Sequence, residues 1–133
     1  MSVDVLIAED EPGILASLNF ILKREGLSVK SVTDGRAALE MLSKLKPKLL
    51  VLDVMLPIKS GFEVLKQLRA TKNIKNLPVL ILTAKGQKQD KIQALELGAN
   101  AFITKPYANA DVVNAVKQLL EIEKTTQKTW IKN

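Results

Sequence analysis

The chain contains no cysteine and no histidine among its 133 residues. Without cysteine there is no thiol nucleophile, no disulfide scaffold and no thiolate zinc site. Without histidine there is no Ser-His-Asp triad, no imidazole metal ligand and no phosphohistidine carrier within the chain. No apolar run approaches the ~20 residues that span a bilayer. The opening MSVDVLIAED meets acidic residues after a short strand-like run, unlike the apolar core of a signal peptide. The expectation is a cytoplasmic chain with no membrane contact. Its chemistry is left to carboxylates, hydroxyls and lysines.

What is present suffices for one domain. The chain is 47% hydrophobic and 26% charged, and a chain of this size hides roughly two-thirds of its unfolded surface without a disulfide or structural metal. Twenty Lys and Arg against fourteen Asp and Glu give a formal charge of +6. That is a mild pull toward anionic partners, and also an ordinary value for a soluble domain.

Short apolar runs alternate with longer amphipathic stretches. Val3 to Ala8 is too short for a helix and ends at Glu9-Asp10-Glu11, after which Pro12 suits a first helical turn. Ile14, Leu15, Leu18, Ile21 and Leu22 then recur at helical spacing, and Gly26 stops the helix. Leu27 to Val32 predicts a second strand, and Ala38, Met41, Leu42 and Leu45 a second helix ended by Lys46-Pro47. Leu49 to Leu52 is apolar on both faces, as a central strand of a covered parallel sheet must be, and runs into Asp53. Phe62, Leu65 and Leu68 predict a third helix, and Pro78 to Leu82 a fourth strand ending on Thr83. Ile92 and Leu95 supply the apolar face of a lysine-rich fourth helix stopped by Gly98. Ala101 to Thr104 predicts a fifth strand ending on Lys105-Pro106, and Val112, Val113, Val116, Leu119 and Leu120 a last helix.

Strict alternation of this kind predicts an α/β fold, a doubly wound five-stranded parallel sheet with five helices. A closed barrel needs eight such units. The expected strand order is the flavodoxin-like 2-1-3-4-5, with a ligand site beyond the carboxyl ends where the first and third strands diverge. No internal repeat or low-complexity block occurs. Residues 1–123 form the expected domain, and residues 124–133, where the apolar period fails, a tail or the start of a linker.

The residues at the strand ends are Glu9 and Asp10, then Asp53, Thr83 and Lys105. Taken singly, each has a plain structural explanation: a helix-capping acid, a turn hydroxyl, a solvated loop lysine. Taken together in one crevice, three carboxylates repel one another and favour a bound cation. Oxygen-only ligands with places left for water or phosphate suit Mg²⁺ better than Ca²⁺. A single lysine at the rim cannot cancel three carboxylates, but it can pair with a phosphoryl group.

Over about residues 3 to 123 the sequence resembles the receiver domains of two-component response regulators, the chemotaxis-type regulators among them. The resemblance rests on separated motifs in order: Glu9-Asp10, Asp53 in Leu52-Asp-Val-Met-Leu-Pro57, Gly61 in Ser60-Gly-Phe62, Thr83 in Leu82-Thr-Ala84, Leu97-Gly-Ala-Asn-Ala-Phe102, and Lys105-Pro-Tyr107. It implies that Asp53 is the phosphorylation site, accepting a phosphoryl group from a sensor histidine kinase or phosphotransfer protein. Asp53, Thr83 and Lys105 would then be the catalytic residues. The metal would be held by Glu9, Asp10, Asp53 and the backbone carbonyl of Met55, with Glu9 acting directly or through water. Thr83 and Phe102 would be the switch pair, Phe102 filling the space that Thr83 vacates and staying mostly buried in both states.

The resemblance further implies a chain that catalyses its own phosphoryl transfer while serving mainly as a switch. With Met55 two residues after Asp53 and Lys85 two after Thr83, neither able to activate water well, self-dephosphorylation is expected to be slow. Output is expected over the fourth helix, fifth strand and fifth helix, where Lys85, Lys88, Lys91 and Lys117 make a basic face. That face would serve an output partner, a missing effector domain or a homodimer.

Other readings compete on the residues. A flavodoxin-like electron carrier wants a hydroxyl- and glycine-rich phosphate loop where Glu9-Asp10-Glu11 stands. A haloacid-dehalogenase-type phosphatase wants a second acid where Met55 stands, and a dinucleotide-binding domain lacks its Gly-x-Gly loop. The alternative of a different kind is a receiver-like interaction module that works without phosphorylation. The ten residues after 123 are too few for a helix-turn-helix, so no direct DNA binding is expected of this segment, whether it is a whole single-domain regulator or an excised receiver. Trp130 and Ile131 in the tail are either a partner contact or a loose end.

Overall fold

Two-sided burial is the test of a central strand in a covered sheet. In the computed structural model β1 (Val5–Ala8), β3 (Leu49–Asp53) and the first five residues of β4 (Val79–Ala84) are buried throughout. The structure describes residues 2–84 and 88–132, the side chains as far as residue 121. β2 (Val29–Val32) and β5 (Ala101–Lys105) complete one five-stranded sheet, all parallel, in the order β2-β1-β3-β4-β5. This is the expected topology, and its crossovers are α1 (Pro12–Arg24), α2 (Gly35–Leu45), α3 (Gly61–Arg69) and α4 (Lys88–Glu96), with α5 (Asn109–Lys132) last.

The strand period of two sorts the central residues into two cores. Leu6, Ala8, Leu50, Leu52, Val79 and Ile81 face α2, α3 and α4 through Leu42, Leu65, Leu68 and Ala94. Val5, Ile7, Leu49, Val51, Leu80 and Leu82 face α1 and α5 through Leu18, Leu22, Val112 and Val116. A sheet with helices on both faces leaves only its two strand-end edges open to a ligand.

Local signals set the helix ends. Pro12 opens α1, Asp34 caps α2 by accepting the Ala37 N–H at 2.7 Å, and Ser60 and Glu63 form a capping box on α3.

Two expectations need correction. Ile92 and Leu95 do not form the buried face of α4; they are 53% and 51% exposed, and the buried residue of that helix is Ala94. The face of α4 that meets the sheet is therefore centred on Ala94, to one side of Ile92 and Leu95. Lys117 does not join a basic face with α4 either: its ammonium pairs with Glu25, just past α1, at 2.6 Å. Lys85 lies outside the described residues, as do the side chains of Trp130 and Ile131. Backbone helix continues through most of 124–133, to Lys132.

Candidate functional site

The carboxyl edge of the sheet is where buried strands stop being apolar. Glu9 follows β1 directly and is fully buried, Asp53 ends β3 at 3% exposure, and Thr83, one residue past the Asp53–Leu82 register pair, is 1% exposed. Asp10 is exposed. Lys105 ends β5, in register with Ala84. Glu9, Asp10 and Asp53 each bring a carboxylate oxygen within 4.8 Å of the others. The sequence-predicted acids and lysine therefore do meet in one crevice.

Lys105 organises the cluster. Its Nζ donates to Glu9 Oε1 at 2.9 Å and to Asp53 Oδ2 at 3.2 Å, and Glu11 Oε1 lies 3.9 Å away. The other oxygens of the two buried acids take backbone donors: Glu9 Oε2 accepts the Glu11 N–H at 3.1 Å, and Asp53 Oδ1 accepts the Met55 N–H at 3.2 Å. Neither Glu9 nor Asp10 caps α1, whose cap position is Glu11 with no side-chain bond.

Burial pushes the Glu9 pKa above its ordinary value; the Lys105 contact opposes the rise and the Asp53 carboxylate adds to it. Burial opposes the charge on Lys105, but its bond to Glu9 and the charges of Asp53 and Glu9 more than offset this and raise its pKa. One ammonium among so many acids leaves the crevice anionic. The donors are all hard oxygens, and exposed Asp10 opens the cluster to solvent, so the residues fit a small divalent cation that keeps some of its water. A groove of about 520 Å³, lined by Glu11, Ile14, Ser17, Lys105 and Tyr107, runs beside it.

Thr83 is placed differently from its neighbours. Its Oγ1 donates to Asp90 Oδ2 in the first turn of α4, at 3.3 Å. Sequence reading missed Asp90; the only signal was an acid in a first helical turn, seven residues beyond the hydroxyl. Phe102 is partly buried against the core on the α4 side, less enclosed than expected because β5 is an edge strand. The Met55 side chain is 71% exposed and takes no part in the cluster; only its backbone N–H does.

Fold and edge cluster together define a class: doubly wound α/β domains that work at the carboxyl edge of their sheet. A family model described as "Response regulator receiver domain" matches residues 5–117. The alkaline phosphatase synthesis transcriptional regulatory protein PhoP of Bacillus subtilis (strain 168) is 43% identical over 120 residues, covering 90% of this chain and 49% of that protein. The sensory transduction protein RegX3 of Mycobacterium tuberculosis (strain ATCC 25618 / H37Rv) is 40% identical over 116 residues, covering 87% of this chain and 50% of that protein. The signal receiver domain of a signal transduction histidine kinase from Syntrophus aciditrophicus superposes with a TM-score of 0.83 at 33% identity, over 90% of this chain and 91% of that one. The chain belongs to the response regulator receiver domains, and it spans about half the length of these curated relatives.

Proposed function

We propose that this receiver domain is a switch set by phosphorylation of Asp53. The observation that carries the reading is the surroundings of that carboxylate: it lies within hydrogen-bond distance of Lys105 and 4.8 Å or less from oxygens of Glu9 and Asp10. A carboxylate is ionised at neutral pH, so no general base is needed in a chain without histidine. The donor is the phosphohistidine of a sensor histidine kinase or phosphotransfer protein. A carboxylate oxygen of Asp53 forms a P–O bond as the P–N bond of the donor breaks. The imidazole leaves with the electron pair and regains its proton from water.

Mg²⁺ held by Glu9, Asp10, Asp53 and the carbonyl of Met55 would supply charge neutralisation between nucleophile and phosphoryl group. Lys105, now shared by Glu9 and Asp53, is positioned to pair with a phosphoryl oxygen, and Thr83 supplies a hydroxyl donor at the same edge. Thr83 and Phe102 would transmit the change, which adds about −1.5 to −2 charge at Asp53.

Output runs through α4, β5 and α5, to a partner, an effector domain or a second copy of the chain. Exposed Ile92 and Leu95 beside Lys88 and Lys91 favour this surface. No helix among the described residues is long and apolar enough to cross a membrane, and a cytoplasmic location belongs to the same proposal.

The test is mass measurement after incubation with Mg²⁺ and acetyl phosphate. One added phosphoryl group is expected on the wild type and none on Asp53→Asn; a wild type that gains nothing overturns the reading. Loss of that phosphoryl is expected to be slow, and a lifetime of seconds would contradict the roles given to Met55 and Lys85.

A further inference from the structure

Thr83 is 1% exposed, and its hydroxyl carries one proton. Among the described residues its acceptor is Asp90 Oδ2, at 3.3 Å. A phosphoryl group on Asp53, on the strand beside Thr83, would compete for the same proton. Two anionic acceptors cannot both hold it. Among the described residues α4 has one fully buried side chain, Ala94, and its larger apolar side chains, Ile92 and Leu95, are about half exposed. A helix anchored by one small side chain depends more than most on a single polar tie.

We propose that Asp90 is a positioning residue that holds Thr83 in the unphosphorylated state, competing with the phosphoryl group for the hydroxyl proton, so that modification of Asp53 releases the first turn of α4. The inference rests on the phosphorylation reading above and deepens it by naming what the phosphoryl group must displace. Because coupling is reciprocal, a partner that pulls α4 away from Thr83 would favour phosphorylation, and one that clamps it would oppose it. The ordinary explanation of Asp90, a first-turn acid complementing the helix dipole, has no connection to Thr83. That difference makes the two separable.

Backbone amide hydrogen exchange over residues 88–96, measured without phosphodonor, should be compared in wild type, Asp90→Ala, Thr83→Ala and the double variant. Each single change is expected to speed exchange by roughly threefold to tenfold, the loss of one modest hydrogen bond, with the double variant no faster than either single one. Additive effects overturn the proposal and leave Asp90 a helix-dipole residue. With acetyl phosphate and Mg²⁺, the exchange of wild-type α4 should rise to the Asp90→Ala level, and Asp90→Ala should acquire phosphoryl roughly threefold to tenfold faster than wild type. Equal rates of acquisition overturn the competition. A wild type that takes up no phosphoryl group overturns the phosphorylation reading instead, and the donor-free exchange cycle tells that failure apart.

Discussion

The Lys105 ammonium bridges Glu9 and Asp53, 2.9 Å from one carboxylate and 3.2 Å from the other, and so joins the ends of β5, β1 and β3 by one side chain. The bridge neutralises a fully buried acid and leaves the cluster anionic. Both facts have measurable consequences.

Removing the bridge should destabilise the resting protein. Lys105→Met leaves Glu9 and Asp53 facing each other without a cation, with an expected loss of ~1–3 kcal/mol at neutral pH in metal-free buffer. Urea unfolding reads this directly. Added Mg²⁺ should restore part of the loss, and an unchanged urea midpoint would remove Lys105 from the account.

The raised pKa of Glu9 sets the sign of the pH dependence. The folded state holds this proton to higher pH than the unfolded chain, so the contribution is fully present below 4.5 and lost as pH rises through the folded value. Metal-free protein should therefore lose stability from Glu9 over that window, while Mg²⁺ affinity rises as the competing proton leaves. Thermal melts and calorimetric titrations across the window check both slopes. A Mg²⁺ affinity that falls with rising pH is the contrary result.

Gly61 allows α3 to begin against the end of β3. A Cβ there would run into the backbone carbonyl oxygen of Asp53 and approach Val54 Cα to 2.8 Å. Gly61→Ala should cost ~1–3 kcal/mol in overpacking and displace the Asp53 carboxylate. Slower phosphorylation by acetyl phosphate should accompany the lower urea midpoint; wild-type values of both would show that the backbone yields freely.

Far from the crevice, Arg69 ties α3 to the loops before β4 and β5. Nη1 donates to Lys75 O at 2.9 Å and Leu77 O at 2.7 Å, Nε and Nη2 donate to Gly98 O at 3.1 and 2.7 Å, and Nη2 reaches Asn100 Oδ1 at 3.0 Å. Arg69→Ala should lower stability by ~1–3 kcal/mol, and Arg69→Lys should not recover it, because a single ammonium cannot serve this planar set of acceptors. Full recovery by lysine in urea unfolding would contradict that geometry.

Much of the site could be read before any coordinates. Strand ends fall at fixed places in an alternating pattern, so Glu9, Asp10, Asp53 and Lys105 could be assigned to one edge from order alone, and they meet there. The outward turn of Ile92 and Leu95 could not. Helical spacing marks which residues share a face; whether that face is buried depends on how the helix is rotated against the sheet, and here the buried position is Ala94. The pairing of Lys117 with Glu25 was equally hidden, since it joins helices far apart in the chain.

What the sequence determined by itself is the order of the elements, the two-faced burial of the central strands and the type of chemistry at their ends. These follow from local periodicity and from side chains whose chemistry is independent of context. Only the tertiary structure decided how the charges are shared: that Lys105 serves Glu9 and Asp53 together, that Glu9 is the fully buried acid, and that Thr83 turns to Asp90. Hydrogen bonds and desolvation act over a few ångströms between residues distant in the chain, and no pattern along one dimension carries that distance.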